Sequence, residues 1–283
     1  MALIEGYSSS EEEEEQEIPT RIPELDIFLQ NYITNMAHQA SVFSCIRWNP
    51  SIQTLTKLKG ACTQVLRELP PSIMQGYKWV DAERASPLRH HITIHSNYRG
   101  KPYQVKSFTQ DLVHALPQIP VPNDLIGPNK EETVRMSNLL SLLGENATTS
   151  QKSYINMQFE SHMEVFPGLH NDTLFLSGII KKTVSSNEFF SQLRDVINQI
   201  RDSNGLVPSL FELPPDHQFH VSFQVGENFE KSDPVSLREI NEFVKEIDVS
   251  KYLKDIVISF DSLDILPLID KKEQHVVKFN VNN

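Results

Sequence analysis

Two histidines in this chain are each followed, two positions on, by a hydroxyl residue: His91-Ile92-Thr93-Ile94 and His220-Val221-Ser222-Phe223. The second lies in Gln218–Gln224, where polar and apolar residues alternate strictly, the period of a half-buried β-strand. His220 and Ser222 then share one face, while Phe219, Val221 and Phe223 share the other, the face a core requires. The first stretch repeats the arrangement, with Ile92 and Ile94 behind. One strand histidine is ordinarily a packing residue; two matched pairs point to a site.

A neutral imidazole takes a proton from an attacking oxygen, and an imidazolium gives one to a leaving oxygen. The hydroxyls of Thr93 and Ser222, with backbone N–H groups, suit the non-bridging oxygens of a phosphate as charge builds. RNA offers the fitting reaction, because its 2′-hydroxyl is an internal nucleophile beside the phosphodiester. No metal is required, and the carboxylate clusters of metal-dependent nucleases are absent from the sequence. His90-His91-x-x-x-His95 does not read as a zinc site, since on a strand His90 faces away from the other two. His95 continues the face of His91 and Thr93, either as an additional groove residue or as a solvent-facing strand end. Tyr98, Arg99 and Lys101 follow, able to stack a base and meet phosphate or to form an ordinary solvated turn. His114, His162, His170, His217 and His275 read as surface or packing residues, and Lys181-Lys182 as a solvated strand end.

The elements that position these residues recur in order. Val42, Phe43, Cys45 and Ile46 predict a strand over Ser41–Trp48. Leu55, Leu58, Cys62, Val65, Leu66 and Leu69 mark a helical face stopped by Pro70-Pro71. The first histidine strand, about Arg89–Ser96, precedes a helix through Val105, Phe108, Leu112 and Leu116. Residues 117–150 hold four prolines, Gly127 and Gly144, and read as an insertion or long loop. A strand over Tyr154–Phe166 closes the first half. Thr173–Ile180 opens the second, followed by a capping box at Ser185-x-x-Glu188 and a helix through Phe189, Leu193, Ile197 and Ile200 to Asn204-Gly205. After the second histidine strand, Asp233-Pro234 supplies the start of a helix through Leu237, Ile240, Val244 and Ile247. Strands at Asp255–Leu266 and His275–Val281 end the chain. Each half reads strand, helix, histidine strand, helix, strand. That order predicts a bilobed α+β domain over 21–283, with lobes at about 41–168 and 173–283, and the two polar strand faces lining the groove between them.

The 283 residues suffice for a sizeable core, and 39% hydrophobic with 22% charged content is ordinary for a soluble protein. No run of about 18 apolar residues predicts a membrane span, and the first residues lack the pattern of a signal peptide. Cys45 and Cys62 sit in apolar patterns, as reduced core residues of a cytosolic or nuclear protein would. The net charge of −11 argues against a grip on long duplexes, but seven glutamates fall within residues 1–20 without a compensating lysine or arginine. The rest of the chain carries 30 acidic and 26 basic residues, a net of −4, compatible with reading one strand end in a small cleft. Residues 1–20, with Ser8-Ser9-Ser10 before five glutamates, read as a disordered acidic tail that solvates the chain or serves as a phosphorylation or docking segment.

The tetrapeptides His91–Ile94 and His220–Phe223 resemble the twin signature of the 2H phosphoesterase superfamily. With Phe219 directly before the second motif and the element order on both sides, the span from about Ser41 onward resembles the U6 small nuclear RNA phosphodiesterase family. The resemblance implies a fold of two pseudo-symmetric lobes of antiparallel sheet plus helices around a central groove. It implies a metal-independent, cofactor-free 3′-to-5′ exoribonuclease of the nucleus, working as a monomer on the oligouridine tail of U6 RNA and leaving a 2′,3′-cyclic phosphate. The superfamily's functional residues map to His91, Thr93, His220 and Ser222. Three features depart from the family pattern: His95 where relatives carry a small residue, the long 117–150 segment, and the aromatic before the second motif, for which Phe211 and Leu213 stand nearest. The open alternatives are another 2H activity, on cyclic or 2′–5′-linked small nucleotides, and a non-catalytic splicing-associated RNA-binding protein.

Overall fold

The computed structural model describes residues 40–71, 76–82, 90–129, 132–133, 152–168, 173–209, 217–228, 236–269 and 274–281. Phe211, Leu213 and the Asp233-Pro234 pair lie outside them. In chain order the described elements are β1 (Ala40–Trp48), α1 (Ile52–Glu68), β2 (Tyr77–Asp81), β3 (His90–Gly100), α2 (Pro102–Ala115), β4 (Ile126–Pro128), β5 (Ser153–Pro167) and β6 (Thr173–Ile180). Then come α3 (Val184–Ser203), β7 (Val207–Pro208), β8 (His220–Asn228), α4 (Leu237–Glu246), α5 (Ser250–Leu253), β9 (Val257–Phe260), β10 (Ser262–Leu268) and β11 (His275–Lys278).

The helices begin and end where backbone chemistry dictates. Ser51 caps α1 by accepting the Thr54 N–H at 3.2 Å, and the helix stops at Leu69, one residue before the prolines. α3 opens earlier than the predicted box: Thr183 is its N-cap and Ser186 the reciprocal partner, so Ser185 and Glu188 already lie inside the helix. It closes in a Schellman turn, with Gly205 at φ +63°, Gly205 N–H bonding Asp202 O and Leu206 N–H bonding Arg201 O. That turn feeds β7 onto the edge of β3 at Tyr98 and Arg99.

The strands form two antiparallel sheets. One runs β11-β10-β1-β3-β7, the other β2-β8-β6-β5-β4 with β9 also on β5. The protein is α+β, as expected. Neither sheet is built from one half of the chain: β7, β10 and β11 join the first sheet, while β2, β4 and β5 join the second. The chain crosses between sheets at Asp261, where β9 ends on β5 and β10 begins on β11 before reaching β1 at Asp264. The segment read as an insertion starts with two 3-10 turns and β4, paired to β5 at Ile126↔Ile155.

β1 and β6 lie between neighbours on both sides and are buried along nearly their whole length. The helices and the inner sheet faces enclose one core containing Ile46, Trp48, Ile92, Phe108, Phe159, Phe189 and Phe223. Gly178 in β6 has a packing reason: a Cβ there would lie 2.6 Å from the Phe223 ring and 3.0 Å from that of Phe159. The sheets meet along β3 and β8. No described helix is long and apolar enough to cross a membrane.

Candidate active site

The two histidine motifs occupy β3 and β8, and His90 ties them together. Its Nδ1 donates to the Ser222 carbonyl at 3.2 Å while its ring packs against Trp48 and Phe223 on the core side. With His90 turned inward, as the alternation predicts, His91 takes the opposite face of β3. There it lies opposite Arg47 of β1, and Thr93 lies opposite Cys45. On β8, His220 lies opposite Ile179 and Ser222 opposite Ser177 of β6. Thr93, His220 and Ser222 are half-buried, and His91 is 8% exposed.

Each imidazole leans on an apolar patch separate from the main core. Phe43 and Cys45 form one, with Leu266 and Leu268 alongside, and the Phe43 ring meets His91 at 6.0 Å and 85°. Ala82, Phe175 and Val225 form the other, with Val80 and Phe166; the Phe166 ring stacks on His220 at 3.8 Å and 6°. The two sides are thus alike in plan, with one histidine against one phenylalanine per sheet. His220 Nδ1 donates to the Gln218 carbonyl at 2.9 Å. A carbonyl only accepts, so in the neutral ring Nδ1 carries the proton and Nε2 is the basic nitrogen.

Three residues that periodicity does not single out complete the geometry. Ser177, fully buried in β6, donates its hydroxyl to Ser222 Oγ at 3.2 Å. Its signal in the sequence is a serine within the otherwise apolar run Leu174–Ile180. Phe166 supplies the stack for His220. Arg47, beside His91 in register, is held by an ion pair from Nε to Asp264 Oδ2 at 2.7 Å, and Asp264 also accepts from Gln274 at 2.9 Å.

His95 and Tyr98 are buried and do not face the groove as the sequence reading allowed. Between Thr93 and His95, and again between His95 and Tyr98, β3 carries an extra residue relative to β1. Such a bulge reverses the alternation, so His95 turns into the core instead of continuing the face of His91. It is 4% exposed, stacked on Tyr98 at 4.2 Å and edge-on to Phe108. Tyr98 is 2% exposed and donates its hydroxyl to Asn198 Oδ1 at 3.1 Å. Neither faces the groove, and Phe211 lies outside the described residues. Lys101 caps α2 through its backbone N–H to Gln104 Oε1. A matching bulge in β8 at Phe223 sends Gln224 away from His220 and Ser222, to donate to Asp81 Oδ1 at 2.6 Å.

Cys45 and Cys62 are free and buried. Burial, reinforced by the nearby Asp81 carboxylate, pushes the Cys62 thiol far above the ordinary thiol range, which excludes it as a nucleophile. Among the described residues no group of three or more His, Cys, Asp or Glu side chains is placed to hold a metal ion.

No protein-family model and no curated protein matches the sequence. Structure is more informative. Usb1 of Kluyveromyces marxianus aligns with a TM-score of 0.53 at 9% identity, covering 84% of this chain and 98% of that one. The chain has the Usb1 fold. A second structure of Kluyveromyces marxianus Usb1, with uridine monophosphate, gives a TM-score of 0.51 over the same shares of both chains at the same identity. Because nearly all of Usb1 is covered, the likeness spans both sheets and not a single shared motif.

Proposed function

We propose that the protein is a 2H-type RNA phosphodiesterase that removes nucleotides from the 3′ end of RNA, with the oligouridine tail of U6 small nuclear RNA as its substrate. The observation that carries the reading is the seating of His91-x-Thr93 and His220-x-Ser222 on neighbouring strands joined by the His90–Ser222 bond. The Usb1 fold supports it, and uridine monophosphate, present in one Usb1 structure, is the terminal unit of such a tail.

The chemistry follows from the two imidazoles. One of His91 and His220 takes the proton of the 2′-OH on the penultimate nucleotide. That oxygen forms a bond to phosphorus as the bond to the 5′-oxygen of the last nucleotide breaks. The other histidine, as imidazolium, protonates the departing oxygen. Thr93 and Ser222 hold the non-bridging oxygens as charge accumulates. The shortened RNA ends in a 2′,3′-cyclic phosphate and the histidines have exchanged protonation states. Water entering in place of the leaving group, with roles reversed, opens the ring to a monophosphate. Two proton-transfer groups close the cycle, so the reaction calls for no metal or cofactor. We assign the protein to the nucleus, as a monomer.

The deciding experiment is incubation with oligouridine bearing a free 3′ cis-diol, with product ends analysed for cyclic or open phosphate. Stepwise loss of 3′ uridines supports the reading. Turnover confined to small cyclic or 2′–5′-linked nucleotides, or no turnover, overturns it.

A further inference from the structure

A cleft lies close to His220. It opens to about 490 Å³ where β6 hands over to α3, bounded by Lys181 and Lys182 on one side, Arg194 along α3, and His217 and Phe219 on the approach to β8. That volume falls in the range of small-ligand sites. Its floor is rigid: Phe190 and Phe219 stack at 4.0 Å, and the Phe219 carbonyl accepts the Ile180 N–H at 2.9 Å. Phe219 directly precedes His220, and the His217 ring lies 5.7 Å from the His220 ring. The cleft therefore begins one side chain away from the candidate catalytic imidazole.

Its long wall is a polar stripe on α3. Asn187, Ser191, Arg194 and Asn198 are spaced four, three and four residues apart and share one helix face, while Phe189, Leu193 and Ile197 are buried in the core. From Asn187 to Asn198 the stripe extends about 16 Å along the helix axis. A single phosphate or free nucleotide does not need so long a wall; an extended polymer does. The charge is opposite to that of the chain as a whole. Among the described residues, the lining sets Lys181, Lys182 and Arg194 against the Asp195 carboxylate, in a protein of net charge −11. Cations gathered along a groove against the overall charge select a polyanion.

We propose that this cleft is the track for the single-stranded RNA flanking the scissile phosphate, with Lys181, Lys182 and Arg194 on successive phosphates and His217 at the junction with the active site. The inference rests on the proposed RNA phosphodiesterase reading, but binding tests it separately from turnover.

The test compares wild type with Lys181→Gln/Lys182→Gln and with the triple variant adding Arg194→Gln, each checked for an unchanged thermal unfolding profile. Anisotropy of 5′-labelled oligouridines of increasing length, over a range of salt, measures binding. Wild type gains affinity with length; the triple variant loses at least tenfold on the longer oligonucleotides. Its slope of log K against log salt flattens by about 2, since single strands lose roughly 0.7 per phosphate contact. The double variant, which leaves the helix untouched, moves the same way by about two-thirds. In turnover, the ratio of kcat/KM on a long oligouridine to that on the dinucleotide UpU falls by a similar factor. Equal length dependence and equal salt slopes in wild type and variants overturn the track. So does an acidic peptide of matched charge that binds as tightly as the oligouridine. If wild type fails to cleave UpU and longer RNA while the binding loss is observed, the track stands and the phosphodiesterase reading falls.

Discussion

Ser177 Oγ donates to Ser222 Oγ at 3.2 Å from a wholly buried position in β6. Its proton has a second acceptor, the Phe175 carbonyl at 3.4 Å, so the bond to Ser222 is the shorter of two choices. By donating, Ser177 fills an acceptor site on Ser222 and leaves the Ser222 proton for the phosphate oxygen that the proposed mechanism places there. Ser177→Ala is therefore expected to lower kcat several-fold with little change in KM, at a stability cost of about 1 kcal/mol. Ser177→Thr, which keeps the hydroxyl, should recover part of the rate. A variant with wild-type kcat, or a loss confined to KM, would exclude a positioning role.

The histidine pair makes the sharper prediction. His91→Ala and His220→Ala should each reduce turnover of a uridine-ended RNA by roughly 10²–10⁴-fold, the usual contribution of one acid or base. On the proposed mechanism one group acts as base and the other as acid, so the wild-type rate should trace a bell against pH. EDTA should leave the rate unchanged. Wild-type cleavage by His91→Ala, or activity that EDTA abolishes and a divalent ion restores, would remove the mechanism.

The parts of this site that were legible in the sequence were those governed by local periodicity. His220-x-Ser222 and His91-x-Thr93 share faces because nothing disturbs the alternation within each tripeptide. Beyond Thr93 and beyond Ser222 the alternation fails, since a single extra residue in one strand flips every later side chain. His95 turns inward, and Gln224 leaves the face of Ser222, for that one reason. The partner strand decides where a bulge falls, and the partner is distant in sequence. The same non-locality hid β2, an edge strand on β8, and the exchange of β5 and β10 between sheets. Helices fared better, their bonds being internal: α1, α2 and α3 match the apolar spacing closely, and even the α3 cap differed from prediction by only two residues. Ser177, Phe166 and Arg47 matter through cross-strand neighbours, which one-dimensional patterns do not record.

Gly178 offers a packing test that reaches the site. Its missing Cβ is the space occupied by the edge of Phe223, itself 5.5 Å from Phe159 in a T-shaped pair. Phe223 is the bulged residue next to Ser222. Gly178→Ala should push the ring outward, destabilising the fold by about 1–3 kcal/mol as overpacked cores do, and shift Ser222 with it. Denaturant unfolding should report the first effect and a lowered kcat the second. Unchanged stability would mean that the ring relaxes without strain.

Asp261, at the crossing between the sheets, provides a pH signature. Burial alone would raise its carboxyl, but the Lys152 ammonium at 2.7 Å, with Lys278 at 3.7 Å, outweighs that and holds it below the ordinary carboxylate range. Lys152 in turn is held above its ordinary value, chiefly by the hydrogen bond to Asp261. A carboxyl depressed in the folded state means that the unfolded chain binds more protons in the acid window, so stability rises with pH there. The contribution is complete above the unfolded value near 3.9 and is lost as pH falls through the lower folded value. For Lys152 the sign reverses: its contribution is complete below about 10.5 and is lost as pH rises through the raised folded value. Asp261→Asn should therefore unfold at a lower temperature than wild type across neutral pH. The gap should close below about pH 4 and again narrow above about pH 10.5, both visible in thermal scans at stepped pH. The absence of a gap at neutral pH would show that the crossing is held by its backbone bond, Phe279 N–H to the Asp261 carbonyl at 2.8 Å, and not by the ion pairs.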